Sequence, residues 1–329
     1  MLKVDPKNTL VSVVLPMFNE ESAIEKNLGA LLSILRMLPC RWEVLLIDDG
    51  STDNSVIKAK KAFEGVKEAR IISYSPNRGR GFALRRGFEE SRGDYVITTE
   101  SDLSWGADIV IQIYQKLIDS GADVVIVSPY LKPNGLVGVP LERRLLSRFG
   151  NKVLTFGLPV KLTMVTGMTR GYKRSMLESI ILQMDGKEIH LEIVSKLIAL
   201  GAKIEEIPGV ITWHQKQERV KRKKESKTKR LILSHLYFSV VESPIHFIGL
   251  LGLFFMGLGF MGIMAIVIMK ISGFSLLRLP FFPHYVIGSF ITGLIIFIFS
   301  LLSSQITKLE RELMRVYAKI VSSTKTKTD

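Results

Sequence analysis

The stretch with the clearest chemical potential is residues 98–104, in which two carboxylates, Glu100 and Asp102, are separated by one residue. It directly follows residues 93–97, whose apolar, β-branched and aromatic character predicts a strand buried in a sheet. Open α/β sheets bind ligands at the carboxyl ends of their strands. Mg²⁺ typically takes one or two protein carboxylates while substrate phosphates fill its other positions. The stretch therefore predicts a metal and phosphate site, although a solvated acidic loop would contain the same residues.

The elements that must position these carboxylates form an alternating series. Strands are predicted for residues 10–16, 42–47, 70–74, 93–97 and 123–127, and helical patterns lie between them. Short connections in such a series favour an α/β fold with a parallel sheet covered on both faces. The crossovers are expected to be right-handed.

Three of the predicted strands end in polar or acidic residues. These residues are Phe18, Asn19 and Glu20 after the first strand, Asp48 and Asp49 after the second, and Glu100 and Asp102 after the fourth. Any one group could be a helix cap. Because all three converge on the same predicted edge of the sheet, we interpret them as one binding site.

A glycine-rich turn, Gly79-Arg80-Gly81, lies ahead of the third predicted helix. It lacks the G-x-G-x-x-G spacing of a dinucleotide fingerprint. With Arg78 and Arg80 beside a helix N-terminus, the turn could still approach a phosphate.

Residues 141–151 contain a second candidate phosphate site. Arg144 and Arg148 lie one helical turn apart and Ser147 follows Arg144 by three residues, so all three can face one phosphate. The alternative is a basic helix face that only contacts solvent.

The C-terminal third of the chain has a different composition. The 329-residue sequence is 47% hydrophobic, and residues 243–269 and 279–307 contain no Lys, Arg, Asp or Glu. Each run exceeds the roughly 20 residues that cross a bilayer as a helix, so two transmembrane helices are predicted. Basic residues flank both runs, which by the positive-inside rule predicts cytoplasmic flanks and a short outer loop, residues 270–278.

The net charge of +14 resides mostly beside these runs. We interpret its partner as anionic lipid rather than nucleic acid. Amphipathic patterns at residues 231–238 and 306–320 predict interfacial helices or an oligomer contact. A single cysteine, Cys40, fits a reducing compartment, and the polar first residues do not suggest a signal peptide.

The order and spacing of residues 15–20, 47–53, 77–81 and 93–104 resemble family 2 glycosyltransferases with the GT-A fold. More closely, residues 10–215 are similar to polyprenyl-phosphate glycosyltransferases such as the dolichyl-phosphate mannose and glucose synthases. The resemblance implies a GT-A domain at residues 1–215, a basic juxtamembrane segment at 216–242, a transmembrane hairpin at 243–303 and an amphipathic tail at 304–329.

The resemblance also implies roles for individual residues. The implied nucleotide-binding residues are Pro16, Phe18, Glu20, Asp48, Asp49, Arg80 and Ser101. Glu100 and Asp102 would bind Mg²⁺ or Mn²⁺, with glutamate in place of the usual first aspartate. The implied lipid-phosphate ligands are Arg143, Arg144, Ser147 and Arg148, and Asp102, Arg144 and Arg148 would serve catalysis. Residues 166–170 match a T-x-G-F-R pattern loosely, which leaves the role of Arg170 open.

The function implied by the resemblance is an inverting transfer of a hexose from a GDP- or UDP-sugar to a polyprenyl phosphate of the cell membrane. A multi-pass protein with a cytoplasmic catalytic domain and termini is expected. Glu192 aligns with the base of relatives that use hydroxyl acceptors, but it could equally be an ordinary helix residue. Alternative functions are a processive polysaccharide synthase, against which the absence of Q-x-x-R-W argues, and a catalytically silent membrane adaptor.

Overall fold

The structure, a computed structural model, describes residues 8–155, 158, 160–212, 248–273 and 280–325. Its contacts divide the chain into two compact units, one comprising Met1–Lys224 with Met314–Asp329 and the other Glu225–Leu313. The first contains the sheet and the second the apolar helices. The predicted basic segment and the interfacial helix at residues 231–238 lie outside the described residues.

The first unit is an α/β structure. Its strands are β1 (Leu10–Met17), β2 (Arg41–Asp48), β3 (Ala69–Ser73), β4 (Tyr95–Thr98), β5 (Val124–Ser128), β6 (Leu136–Val137), β7 (Arg170–Lys173), β8 (Ile204–Pro208) and β9 (Ile211–Thr212). Its helices are α1 (Ile24–Leu35), α2 (Ser55–Ala62), α3 (Arg80–Glu90), α4 (Ile109–Ser120), α5 (Leu141–Thr155), α6 (Arg174–Glu178) and α7 (Ile189–Ala199). The five strands predicted from sequence are confirmed, with ends shifted by one or two residues.

Seven strands form one sheet in the order β3-β2-β1-β4-β7-β5-β8, and β6 pairs with β9 in a small second sheet. The pairs β1–β2, β1–β4, β2–β3 and β5–β8 are parallel. By contrast, β7 is antiparallel to both of its neighbours, β4 and β5. Residues 170–173 are too short and too polar for their sequence to indicate this insertion.

The core lies on both faces of the sheet. Strands β4 and β5 are buried throughout and β1 is buried apart from the partly buried Leu10 and Pro16. Helices α1 and α4 pack apolar stripes that include Leu28, Leu31, Ile113 and Leu117. Strands buried on both faces read as continuous apolar runs, which is why the sequence located them well.

The second unit contains α8 (Leu250–Ile271) and the start of α9 (Phe282–Lys325). Both are long and apolar enough to cross a membrane. They approach closely at glycines: a Cβ on Gly252 would lie 2.7 Å from the Phe297 amide nitrogen, and one on Gly293 would lie 2.5 Å from that of Met256. Small residues allow this backbone contact between helices in lipid.

The amphipathic residues 306–320 are helical and continue α9 without interruption. Their role as an interfacial helix or an oligomer contact stays a prediction. No glycine or proline occurs between Gly293 and Lys325 to end the helix.

Candidate active site

The three polar strand ends lie at one edge of the sheet. Because β2, β1 and β4 are adjacent and parallel, their carboxyl ends bring residues 48–49, 18–20 and 99–102 together. A hydrogen bond joins the segments that follow β1 and β2, since the backbone amide of Asn19 donates to the Ser51 hydroxyl at 3.0 Å. The structure therefore brings the three predicted groups of residues together.

The metal candidates Glu100 and Asp102 lie on a tight turn. The Asp102 carboxylate accepts the Ser104 amide at 3.1 Å, and the backbone at Leu103 is left-handed, with a φ of 47°. From α1, Asn27 donates to the carbonyl of Ser101 at 2.9 Å. These bonds fix the backbone between the two carboxylates.

Glu100 has a partner that sequence reasoning missed. The hydroxyl of Thr169 donates to its carboxylate at 2.5 Å and also lies 3.3 Å from the hydroxyl of Thr99. Burial raises the pKa of Glu100; the Thr169 bond and the nearby Arg80 guanidinium oppose this rise, and the Asp102 carboxylate adds to it. The two departures from the family pattern, Glu100 and Thr169, thus contact each other.

Arg170 is fully buried rather than facing a ligand. Its guanidinium donates to the carbonyls of His190 at 2.9 Å and Val165 at 2.5 Å. It therefore joins the start of β7 to α7 and to the loop before β7.

Asp49 holds a loop of the protein in this structure. Its carboxylate accepts hydrogen bonds from the Asn77 side chain and from the amides of Arg78 and Gly79, at 2.8 to 3.2 Å. Its neighbour Asp48 accepts the Ser51 amide at 3.0 Å. Asp49 consequently places the turn that leads into α3.

The helix N-terminus beside Gly79 and Gly81 is not open to a phosphate, which corrects the sequence-based suggestion. The carbonyl of Asp185 already accepts the amides of Gly81 at 2.7 Å and Phe82 at 3.3 Å. The two glycines make room for this segment, because a Cβ on Gly81 would lie 2.4 Å from the Met184 carbonyl oxygen. Arg80 stays available through its side chain, whose charge acts on Glu100.

The remaining predicted nucleotide-binding residues border the same edge. Pro16, the second-last residue of β1, is partly buried, Phe18 is 38% exposed, and Glu20 is partly buried. Ser101 is buried between the two carboxylates.

The four predicted lipid-phosphate ligands lie on the exposed first part of α5. Arg144 donates to the carbonyl of Leu136 at 3.2 Å, and Ser147 accepts the Tyr130 hydroxyl at 2.6 Å. Arg143 and Arg148 are exposed. The structure thus brings these residues together on one helix that is separate from the acidic turn.

A buried asparagine connects α5 to the strand edge. The side chain of Asn151 donates to the Ser147 carbonyl at 2.9 Å, accepts the Val165 amide at 2.9 Å and lies 3.3 Å from the Thr166 hydroxyl. Val165 is also the residue that Arg170 binds. The loop before β7 therefore links the arginine helix to the residues beside Glu100.

The outer side of α5 carries an apolar stripe. Its members are exposed over 46 to 68% of their surface: Leu141, Leu145, Leu146 and Phe149. At helical spacing these residues lie opposite Asn151, which faces the domain. We call them the α5 apolar stripe.

Known proteins resemble this chain in sequence and in fold. Residues 12–181 match glycosyl transferase family 2. A dolichyl-phosphate beta-glucosyltransferase of Saccharomyces cerevisiae is 29% identical over 231 residues, covering 64% of this chain and 69% of the relative. A dodecaprenyl-phosphate galacturonate synthase of Rhizobium johnstonii is 27% identical over 281 residues, covering 83% and 79%.

Solved structures share the fold. Glucosyl-3-phosphoglycerate synthase from Mycobacterium tuberculosis, in complex with Mn²⁺, UDP-glucose and phosphoglyceric acid, superposes with a TM-score of 0.55 at 20% identity. The likeness covers 70% of this chain and 79% of that one. The same enzyme has been crystallised with Mg²⁺ and UDP.

The family match spans more than half of the chain and includes all three polar strand ends and the arginine helix. The GT-A-like sheet, the acidic edge and this match together establish that the chain belongs to glycosyl transferase family 2.

Proposed function

We propose that the protein transfers a hexose from a GDP- or UDP-linked donor to a polyprenyl phosphate in a membrane, with inversion at the anomeric carbon. One observation carries the proposal: a single domain contains both an acidic strand edge and an exposed helix, α5. That helix bears Arg143, Arg144 and Arg148 together with the α5 apolar stripe. The named relatives from yeast and Rhizobium use lipid phosphates, which supports the same acceptor class here.

The acidic edge fits a divalent cation that shares its ligands with a diphosphate. Among the described residues no group of three or more His, Cys, Asp or Glu side chains could hold a metal. Glu100 and Asp102 offer hard carboxylate oxygens, and phosphate oxygens would complete the shell, as is usual for Mg²⁺. When bound, Mg²⁺ or Mn²⁺ would act as a Lewis acid toward the departing diphosphate.

The acceptor determines what the protein must do. A hydroxyl acceptor needs a general base, whereas a polyprenyl phosphate is already an anion at neutral pH. The protein then has to hold that oxygen in line with the anomeric carbon. We assign this task to Arg143, Arg144, Ser147 and Arg148, whose charge and hydrogen bonds would fix the phosphate.

Lipid contacts would hold the domain at headgroup depth. An exposed apolar helix face bordered by arginines is typical of a helix lying in the membrane interface, and the α5 apolar stripe has this form. We place both flanks of the α8–α9 hairpin in the cytoplasm, following the charge asymmetry of the sequence.

The proposal is tested with purified full-length protein in liposomes containing a polyprenyl phosphate, supplied with Mn²⁺ and each radiolabelled nucleotide sugar in turn. Label in a mild-acid-labile lipid is expected. Label in polymer would instead indicate a polysaccharide synthase. Nucleotide binding without transfer from any donor would indicate an adaptor, and either outcome would overturn the proposal.

Asp102→Ala should abolish transfer, with a loss of at least about 100-fold, because it removes one of the two carboxylates that would hold the cation at the diphosphate. Asp108→Ala, a change on the next turn of the same connection, serves as the matched control. Initial rates at saturating donor measure the effect. Normal turnover by Asp102→Ala would refute the assigned metal site.

A further inference from the structure

A short segment between α6 and α7 lies across the N-terminus of α3. We call Leu182 to Gly186 the strap. Its Asp185 carbonyl accepts the amides of Gly81 and Phe82 in the first turn of α3. The strap passes so close that a Cβ on Gly79 would lie 2.6 Å from the Asp185 oxygen. The fit between strap and helix is therefore a close backbone contact.

Glu192 of α7 anchors the strap from beneath. Its side chain is 3% exposed and accepts the amides of Gln183 at 2.9 Å and Met184 at 3.0 Å. Lys196, one turn along α7, donates to the same carboxylate at 2.8 Å. Both carboxylate oxygens are thus engaged by donors of the protein itself.

Arg85 of α3 holds the strap from the opposite side. It donates to the Leu182 carbonyl at 3.0 Å and forms an ion pair with the Asp185 carboxylate. The strap is therefore held by two helices, by α7 through the amides of Gln183 and Met184 and by α3 through Leu182 and Asp185.

The strap contacts the helix turn beside two arginines near the acidic edge. The Arg78 guanidinium lies 3.6 Å from the centre of the Phe82 ring, and Phe82 is one of the residues whose amide the strap binds. Arg80 begins α3, and its charge stabilises the ionised Glu100. Movement of the strap would shift α3 and both cations away from the diphosphate site.

We propose that Glu192 is a positioning residue for the nucleotide diphosphate, acting through the strap on Arg78 and Arg80, and that it is not a general base. The proposal rests on the proposed function, in which the acceptor is an anion and needs no base. A base must present an accessible lone pair to the acceptor, whereas Glu192 is 3% exposed and three of its roughly four acceptor positions are taken by two strap amides and the Lys196 ammonium group.

The first test compares Glu192→Gln with the parent full-length protein. The side-chain amide of the new glutamine would place an N–H group against a backbone N–H group of the strap, so the strap should detach. Binding of UDP or GDP with Mn²⁺ should then weaken by about tenfold or more. Calorimetric titration measures the dissociation constant, and the pH profile of kcat should keep its shape. Glu205→Gln, which also removes an acid paired with lysines, is the matched control.

A second variant moves the strap while leaving Glu192 intact. Gly81→Ala puts a Cβ against the Met184 carbonyl and should reproduce the loss of nucleotide affinity. A general base would give the opposite pattern: Glu192→Gln would keep nucleotide affinity and lose kcat and its pH dependence, and Gly81→Ala would leave affinity unchanged. Either result overturns the proposal for Glu192. Nucleotide binding is measured without an acceptor, so failure of the lipid-transfer proposal is seen separately in the liposome assay.

Discussion

The contact between Thr169 and Glu100 joins residues from two neighbouring strands at the centre of the site. A hydroxyl that donates to a desolvated carboxylate stabilises its charged form. Because glutamate reaches farther than aspartate, it can contact Thr169 across the β4–β7 boundary. We therefore interpret the pair as a local replacement for the usual side chains of the family pattern.

This pairing predicts energetic coupling. Thr169→Val removes the hydroxyl with little change in shape and should lower the free energy of unfolding by about 1–3 kcal/mol, because it removes a hydrogen bond from a charged group. In a Glu100→Ala background, Thr169→Val should lower the free energy of unfolding much less. Thermal unfolding in detergent of the parent protein, the two single variants and the double variant gives the coupling free energy between the two side chains. Additive effects would show that the two side chains do not interact.

At the level of elements, β7 and the loop before it connect the two halves of the proposed site. The strand reverses direction between β4 and β5 and so places Thr169 beside Glu100. The loop before it is held by Asn151 of α5 and by Glu206 of β8, which accepts the Thr163 amide at 2.8 Å. Burial raises the pKa of Glu206, and the amides of this loop oppose that rise.

Loosening α5 from this loop should affect the acceptor more than the donor. Asn151→Ala leaves the buried Val165 amide without its partner, which costs about 1–3 kcal/mol of stability. The arginines would lose their fixed position, so the KM for polyprenyl phosphate should rise while the KM for the nucleotide sugar stays constant. Steady-state kinetics distinguish these effects, and Lys152→Ala on the same helix is the control. Equal changes in the KM for polyprenyl phosphate and the KM for the nucleotide sugar would contradict the inference that Asn151 positions the arginines of α5.

At the level of the whole molecule, an α/β domain with an acidic strand edge is combined with two apolar helices in one chain. A lipid-linked acceptor restricts the domain to the membrane surface, where its reacting phosphate lies at headgroup depth. Under the proposed function, the α5 apolar stripe would give the domain a lipid-binding face of its own. A soluble acceptor would not need such a face.

The membrane contact of the stripe can be measured directly. In a Cys40→Ser background, which has no other cysteine, Phe149→Cys carries an environment-sensitive dye in liposomes. The emission should shift to shorter wavelength and brominated lipids should quench it, because the side chain enters the apolar layer. Ile57→Cys, on an equally exposed apolar position of α2, should remain in water. Identical spectra at the two sites would refute the contact.

The sequence alone determined the parts of this protein that depend on local pattern. Apolar runs located β1, β2 and β5, acidic strand ends located the site, and charge-free runs located α8 and the first part of α9. These features follow from burial and period, which each segment carries in its own residues.

Only the tertiary structure decided the contacts between distant residues. Thr169 meets Glu100, Asp185 occupies the helix terminus that seemed open to phosphate, and Glu192 holds the strap instead of facing an acceptor. Glu100 and Asp102 follow β4 as predicted, but Glu100 has neighbours from outside that segment, Thr169 before β7 and Arg80 of α3. No period in the chain encodes these neighbours, because they arise from strand order and from backbone segments packed across the sheet.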